Sequence, residues 1–328
     1  MAQKKALIVQ HLKKYYQHGK VKAVDDISFD ISQGERFGFL GPNGAGKTTT
    51  LRSILGLLQL NGGEISIFGK EITPNKDINY RNDIGYIPGE LGIYKEKNAT
   101  QFLHYMSALY DGEIDWKYVA EIAERLQLEM NRPIGQLSKG NRQKVGILAA
   151  LMRDFPILIL DEPTSGLDPI MQAEFYQILK ERQEHSNCTI FLSSHLLYEV
   201  QKFCERVAII RKGKIVEISS IKKLITKNLK RIYVELASDL ASDELQNLLQ
   251  TKFPTVIIEK AIGRELMLLV TEQDKLPLIR ALSTQNFGGE PIQDINIKES
   301  SLEHIFMQYY SDEKTENSRK SSMQEVSS

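Results

Sequence analysis

The first residues that could do chemistry are Gly41-Pro42-Asn43-Gly44-Ala45-Gly46-Lys47-Thr48. They match G-x-x-x-x-G-K-[ST] at every fixed position. Glycines let such a backbone curl until successive N–H groups point inward at phosphate oxygens. Lys47 supplies a cation for the β- and γ-phosphates of ATP, and Thr48 a hydroxyl for Mg2+. A second group, Asp161 and Glu162, ends the apolar run 157–160 (ILIL) and precedes Pro163. Two acids at a strand tip lie where α/β proteins bind ligands. Asp161 is placed to hold Mg2+, directly or through water, and Glu162 to polarise an attacking water. Alone, two such acids would be solvated loop residues; beside a complete phosphate loop they become the second half of an ATP site.

The elements that must hold these groups show in the hydrophobic pattern. Residues 36–40 (RFGFL) form a short apolar run that stops at Gly41, and Leu51, Ile54, Leu55 and Leu58 follow at helical spacing. Strand, glycine-rich turn, helix is the context a phosphate loop requires. Further strands are expected at 6–12 and 26–32 around a polar turn with Gly19, and at 157–160, 189–192 and 207–210. A hairpin through Lys212-Gly213-Lys214 leads into 215–218. Helices are expected at 170–184 and 196–204 and over much of 100–152, with Phe102, Met106 and Leu109 on one face. Apolar strands alternating with helices predict an α/β architecture with a largely parallel sheet.

Beyond about residue 222 the pattern changes. Strand 231–237, helix 241–253, strand 255–260, a turn at Gly263, strand 265–270, helix 274–286 and strand 292–298 give the β-α-β-β-α-β order of a ferredoxin-like fold. An amphipathic helix at 300–310 and a polar, charged, disordered tail at 311–328 complete the expectation. The domain reading is an ATP-binding domain over 1–222, with a helical subdomain at about 95–155, and an accessory domain over 223–310.

Composition narrows the function classes. The 328 residues suit two domains, and an apolar share of 41% is enough to give them cores. Lys plus Arg equals Asp plus Glu, 42 each, so the basic excess of a nucleic-acid binder is missing and no nucleic-acid partner is expected. Two cysteines, Cys188 and Cys204, are too few for a disulfide scaffold and suit a cytoplasmic chain. No run approaches the ~20 apolar residues of a membrane span. The apolar stretch near the start is too short for a signal peptide. Work at a membrane would need another chain to hold this one there.

Taken in order, the motifs resemble those of the nucleotide-binding subunit of ABC transporters. Leu137-Ser138-Lys139-Gly140-Asn141 is similar to the family signature LSGGQ, with Lys139 in place of its first Gly and Asn141 in place of Gln. Ser165-Gly166-Leu167-Asp168 resembles the D-loop, and Ser193-Ser194-His195 the switch histidine. The set spans about residues 5 to 218, and its order is specific where no single later motif would be. The resemblance implies a P-loop NTPase cassette, a RecA-like mixed sheet with a helical subdomain, that binds ATP and Mg2+ and hydrolyses ATP. Tyr16 then sits where the family stacks an aromatic on adenine, with Tyr15 its adjacent rival. Thr49 joins the nucleotide-binding loop, and Lys47, Glu162 and His195 are the catalytic set, His195 near the γ-phosphate. Ser138 and Gly140 would reach ATP held by a second subunit in a head-to-tail dimer, with Asp168 at the interface. Ser138 is equally suited to capping a helix.

In the segment 84–90 (IGYIPGE), Gly89 occupies the place after proline where the family has Gln or Glu touching Mg2+; Glu90 stands one step on. Residues 301–306 (SLEHIF) resemble the close of the C-terminal extension of drug-export members. The resemblance implies a subunit on the inner face of the cell membrane that powers a separate permease, for export of an unidentified substrate. Ribosome-acting members carry two cassettes and a charged linker, whereas one phosphate loop is present here. Chromosome-maintenance members insert a long coiled coil between motifs that here lie close, at 41–48 and 157–162. A regulatory ATP-binding switch is the remaining alternative.

Overall fold

The computed structural model describes residues 4–72, 79–89, 91–92, 96–110, 114–226, 230–237, 241–284 and 292–298. The chain divides into two units, Met1–Ser220 and Ile221–Ser328. The first unit runs β1 (Lys5–Tyr16), β2 (Val21–Ser32), β3 (Arg36–Leu40), α1 (Lys47–Ile54), β4 (Gly62–Ile67), β5 (Lys70–Glu71), β6 (Ile84–Ile87), α2 (Ala99–Ser107), α3 (Trp116–Arg125), α4 (Lys139–Leu151), β7 (Ile157–Asp161), α5 (Pro169–Ser186), β8 (Thr189–Ser194), α6 (Leu197–Phe203), β9 (Arg206–Arg211) and β10 (Lys214–Ser220).

Six of these strands form one sheet in the order β10-β9-β3-β8-β7-β6. All pairings are parallel except that of β10 with β9. Every residue of β7 and β8 is buried, which is why both read as unbroken apolar runs rather than alternations. The parallel strands β3, β7 and β8 end side by side, and their carboxyl tips carry Gly41, Glu162 and His195. A second, antiparallel sheet has the order β2-β1-β4-β5. The core lies between the two sheets. Phe29 of β2 meets Phe37 and Phe39 of β3 with ring centroids 5.7 and 5.5 Å apart, and Phe191 of β8 at 5.7 Å.

The strands expected at 6–12 and 26–32 are longer, running to the turn at 17–20. Bulges interrupt their pairing, and His11 and Asp26 hold positive φ, so the period-2 alternation that marks a strand is lost there. β4, β5 and β6 were not expected; Ile65 and Ile67 are the buried residues of β4, and two apolar positions make a weak strand signal. Leu109 lies beyond the end of α2 and is 59% exposed; it does not share the face of Phe102, because the helix stops at Ser107.

The second unit runs α7 (Ile221–Thr226), β11 (Lys230–Glu235), α8 (Ala241–Lys252), β12 (Ile257–Ile262), β13 (Glu265–Val270), α9 (Glu272–Thr284) and β14 (Asp294–Lys298). Its antiparallel sheet has the order β12-β13-β11-β14. Ile232, Val234, Leu266, Leu268 and Val270 bury one face of it with Leu245, Leu249, Leu278 and Leu282 of α8 and α9. The expected helix at 300–310, the SLEHIF motif and the tail lie outside the described residues.

Candidate active site

The phosphate loop begins where β3 ends and closes into α1. Gly44 and Gly46 have φ of +79° and +111°, backbone that costs an L side chain about 1–2 kcal/mol. A Cβ on Gly46 would stand 2.4 Å from Ala23 O, and one on Gly41 2.5 Å from Ile210 O. These two glycines let the loop press against β2 and β9. Backbone bonds hold it there: Ala45 N donates to Pro42 O at 3.2 Å and Gly213 N to Ala45 O at 2.9 Å. Asn43 and Gly44 are exposed at the loop crest, and Thr48 and Thr49 are half-buried in the first turn of α1.

Lys47 is buried, and its ammonium donates to Gly41 O at 2.7 Å and to Pro42 O at 3.1 Å. Its Nζ also stands 3.2 Å from Glu162 Oε1. One cation thus spans the loop and the tip of β7. Glu162 has φ +49°, held by Glu162 N donating to Ser193 O at 3.0 Å and Ser165 N donating to Glu162 O at 3.1 Å. Its other carboxylate oxygen, Oε2, lies 2.5 Å from His195 Nδ1. A carboxylate can only accept, so Nδ1 carries a proton and donates in this contact.

Asp161, the last residue of β7, is fully buried. Its Oδ1 accepts from Ser193 Oγ at 2.8 Å, while Oδ2 is buried without a hydrogen-bond partner. Burial and the Asp161 carboxylate push the Tyr86 phenol up to about 12, so Tyr86 stays neutral. A Cβ on Gly89 would lie 3.4 Å from Asp161 Oδ2, which places position 89 against the unpartnered oxygen. Glu90 lies outside the described residues.

The two adjacent tyrosines at the end of β1 separate clearly. Tyr15 OH donates to Asp25 Oδ1 at 2.8 Å, whereas Tyr16 is 38% exposed with Lys14 Nζ 5.0 Å over its ring. Tyr16 pairs with Val21 of β2, and Ala23 of the same strand touches Gly46. The later motifs pack on one another. Ser138 caps α4, accepting from Asn141 N at 3.2 Å, and Asp168 caps α5, accepting from Ile170 N and Met171 N at 3.0 Å each. A Cβ on Gly140 would meet Gly166 O at 2.2 Å, and Lys139 Nζ donates to Ser165 Oγ at 2.8 Å. Gly140 is therefore required within the chain, for the close approach of 165–167.

Residues 24–165 match the family profile described as ABC transporter. The bacitracin transport ATP-binding protein BcrA of Bacillus licheniformis is 38% identical over 222 residues, 67% of this chain and 72% of BcrA. The uncharacterized ABC transporter ATP-binding protein YhaQ of Bacillus subtilis is 32% identical over 310 residues, 92% of this chain and 97% of YhaQ. This chain belongs to the ABC transporter ATP-binding protein family. Among solved structures, the dimeric, post-hydrolysis ATP-binding cassette MJ0796 bound to ADP and Pi superposes with a TM-score of 0.59 at 25% identity, over 66% of this chain and 98% of that one.

The donor set around Asp161 would fit a divalent cation such as Mg2+. Asp161 Oδ2 is a buried oxygen without a hydrogen-bond partner, and such an oxygen suits a hard divalent ion. The ABC motifs also leave contacts unstated. Ser193 orients Asp161, while Ser194, next along β8, points to the opposite side and donates to Glu199 Oε2 at 2.6 Å. Thr164 Oγ1 donates to Glu199 Oε1. The bonds Ser193–Asp161 and Thr164–Glu199 join residues more than thirty apart in sequence, beyond the reach of any local pattern.

Proposed function

We propose that this chain is the ATP-hydrolysing subunit of a membrane exporter. The carrying observation is the bridge Lys47–Glu162–His195 across the tips of β3, β7 and β8. Glu162 is the general base that draws a proton from the attacking water, and His195 Nε2 helps hold that water against the γ-phosphate. Lys47 and the loop amides of 41–48 grip the β- and γ-phosphates. Thr48 and Asp161 would hold Mg2+, which when bound neutralises phosphate charge. Tyr16 stacks on adenine, since Tyr15 is committed to Asp25.

Ser138 and Gly140 reach the γ-phosphate held by a second subunit in a head-to-tail dimer, with Asp168 at the interface. The dimeric neighbour supports that reading, and the transport name of BcrA supports export. Among the described residues no helix is long and apolar enough to cross a membrane. A separate permease holds this subunit at the inner face of the cell membrane. The cassette domain covers 1–222 and a ferredoxin-like accessory domain 223–310.

Glu162→Gln keeps the shape of the base and removes its basicity. Steady-state phosphate release should fall by roughly 100-fold or more, with Mg-ATP affinity retained. Undiminished release would rule out Glu162 as the base, and no release from the unaltered chain would leave a binder without turnover.

A further inference from the structure

Glu199, in the first turn of α6, is only 2% exposed. Its carboxylate makes no ion pair among the described residues; its partners are hydroxyls. Oε1 accepts from Thr164 Oγ1, and Oε2 accepts from Ser194 Oγ at 2.6 Å. Thr164 and Ser194 are themselves buried. Burial, with the Glu199 carboxylate beside it, holds the Tyr176 phenol of α5 well above its ordinary range. Burying an unpaired acid is costly. A carboxylate is nevertheless the group that can accept from two converging hydroxyls at once.

The two hydroxyls belong to the two loops that form the reacting pair. Thr164 lies two residues beyond Glu162, and Leu167 N donates to Thr164 O at 3.0 Å, closing that turn. Ser194 directly precedes His195, and its Oγ also accepts from Leu196 N at 2.9 Å. The chain is therefore pinned on both sides of His195. We propose that Glu199 is a positioning residue for ATP hydrolysis, a staple behind the active site that holds the Glu162 and His195 loops in register so that their side chains meet. This rests on the roles given above to Glu162 and His195. It accounts for a buried acid that touches neither the phosphate loop nor Asp161, and for the strained backbone of Glu162 keeping one orientation.

The test is steady-state ATP hydrolysis by the full chain, with KM and kcat separated. Glu199→Gln keeps size and shape but can accept at one oxygen only. It should lower kcat on the order of tenfold or more, the cost of misplacing reacting groups by a fraction of an ångström, and leave KM for ATP and the thermal midpoint near wild type. In a His195→Ala background the same substitution should cost clearly less, because part of what it positions is already gone. Thr164→Val, which removes one hydroxyl from the Glu162 side, should show the same split and serves if Glu199→Gln does not fold. The proposal is overturned by a wild-type kcat in either variant, by a loss that appears in KM, or by an equal loss with and without His195. Failure of the unaltered chain to hydrolyse ATP would instead remove the ATPase reading beneath it.

Discussion

Glu162 touches both Lys47 and His195, so one side chain connects the phosphate loop to the tip of β8. The residues proposed to carry this chemistry stood out in sequence because each lies at or just after a strand tip inside a short motif: 41–48 after RFGFL, Asp161 and Glu162 after ILIL, His195 after TIFLSS. The choice between Tyr15 and Tyr16 was not legible. It depends on the bond from Tyr15 OH to Asp25 across the β1–β2 hairpin, and adjacent residues of one type offer no local signal for it. Tyr16→Ala should weaken ATP binding by roughly tenfold, the lower end of the ~1–3 kcal/mol that base–aromatic stacking contributes. Tyr15→Phe, which deletes only the hydroxyl, should leave affinity unchanged. Equilibrium titration with a fluorescent ATP analogue separates the two, and the reverse ranking would move the adenine to the other ring.

At the scale of elements, the glycines of the phosphate loop do different jobs although the motif writes them alike. Gly44 stands in open space and is needed for its φ of +79° alone; Gly46 also lies against Ala23 O. Gly44→Ala should therefore cost about 1–2 kcal/mol of stability, the left-handed strain of a Cβ. Gly46→Ala should cost that plus a further ~1–3 kcal/mol for displacing backbone. Denaturant unfolding of both variants checks the order, and equal losses would contradict the contact with β2. The strand type of β7 and β8 followed from burial on both faces, which writes itself into sequence as ILIL and TIFL. The edges were harder. β1 and β2 carry bulges that break their alternation, and β4 places only Ile65 and Ile67 inward, too few positions to mark a strand.

For the whole molecule, 42 Lys plus Arg balance 42 Asp plus Glu, a net charge of zero. Dimerisation was readable only through resemblance, because Ser138 and Gly140 already have partners within the chain: one caps α4, the other admits Gly166. With hydrolysis blocked, nucleotide should remain between two copies. The Glu162→Gln protein should run at its monomer mass of 37.3 kDa without nucleotide and at twice that with Mg-ATP by light scattering. A mass that ATP leaves unchanged would contradict the head-to-tail arrangement.

Lys47 joins the parts of the site, its ammonium spanning Gly41 O, Pro42 O and Glu162 Oε1. The most direct test is calorimetric titration of Mg-ATP into the unaltered chain and Lys47→Ala, with turnover measured on the same samples. Loss of a charge-assisted contact to both phosphates should weaken binding by roughly tenfold or more and abolish measurable hydrolysis. Equal affinity and equal turnover in the two proteins would contradict it.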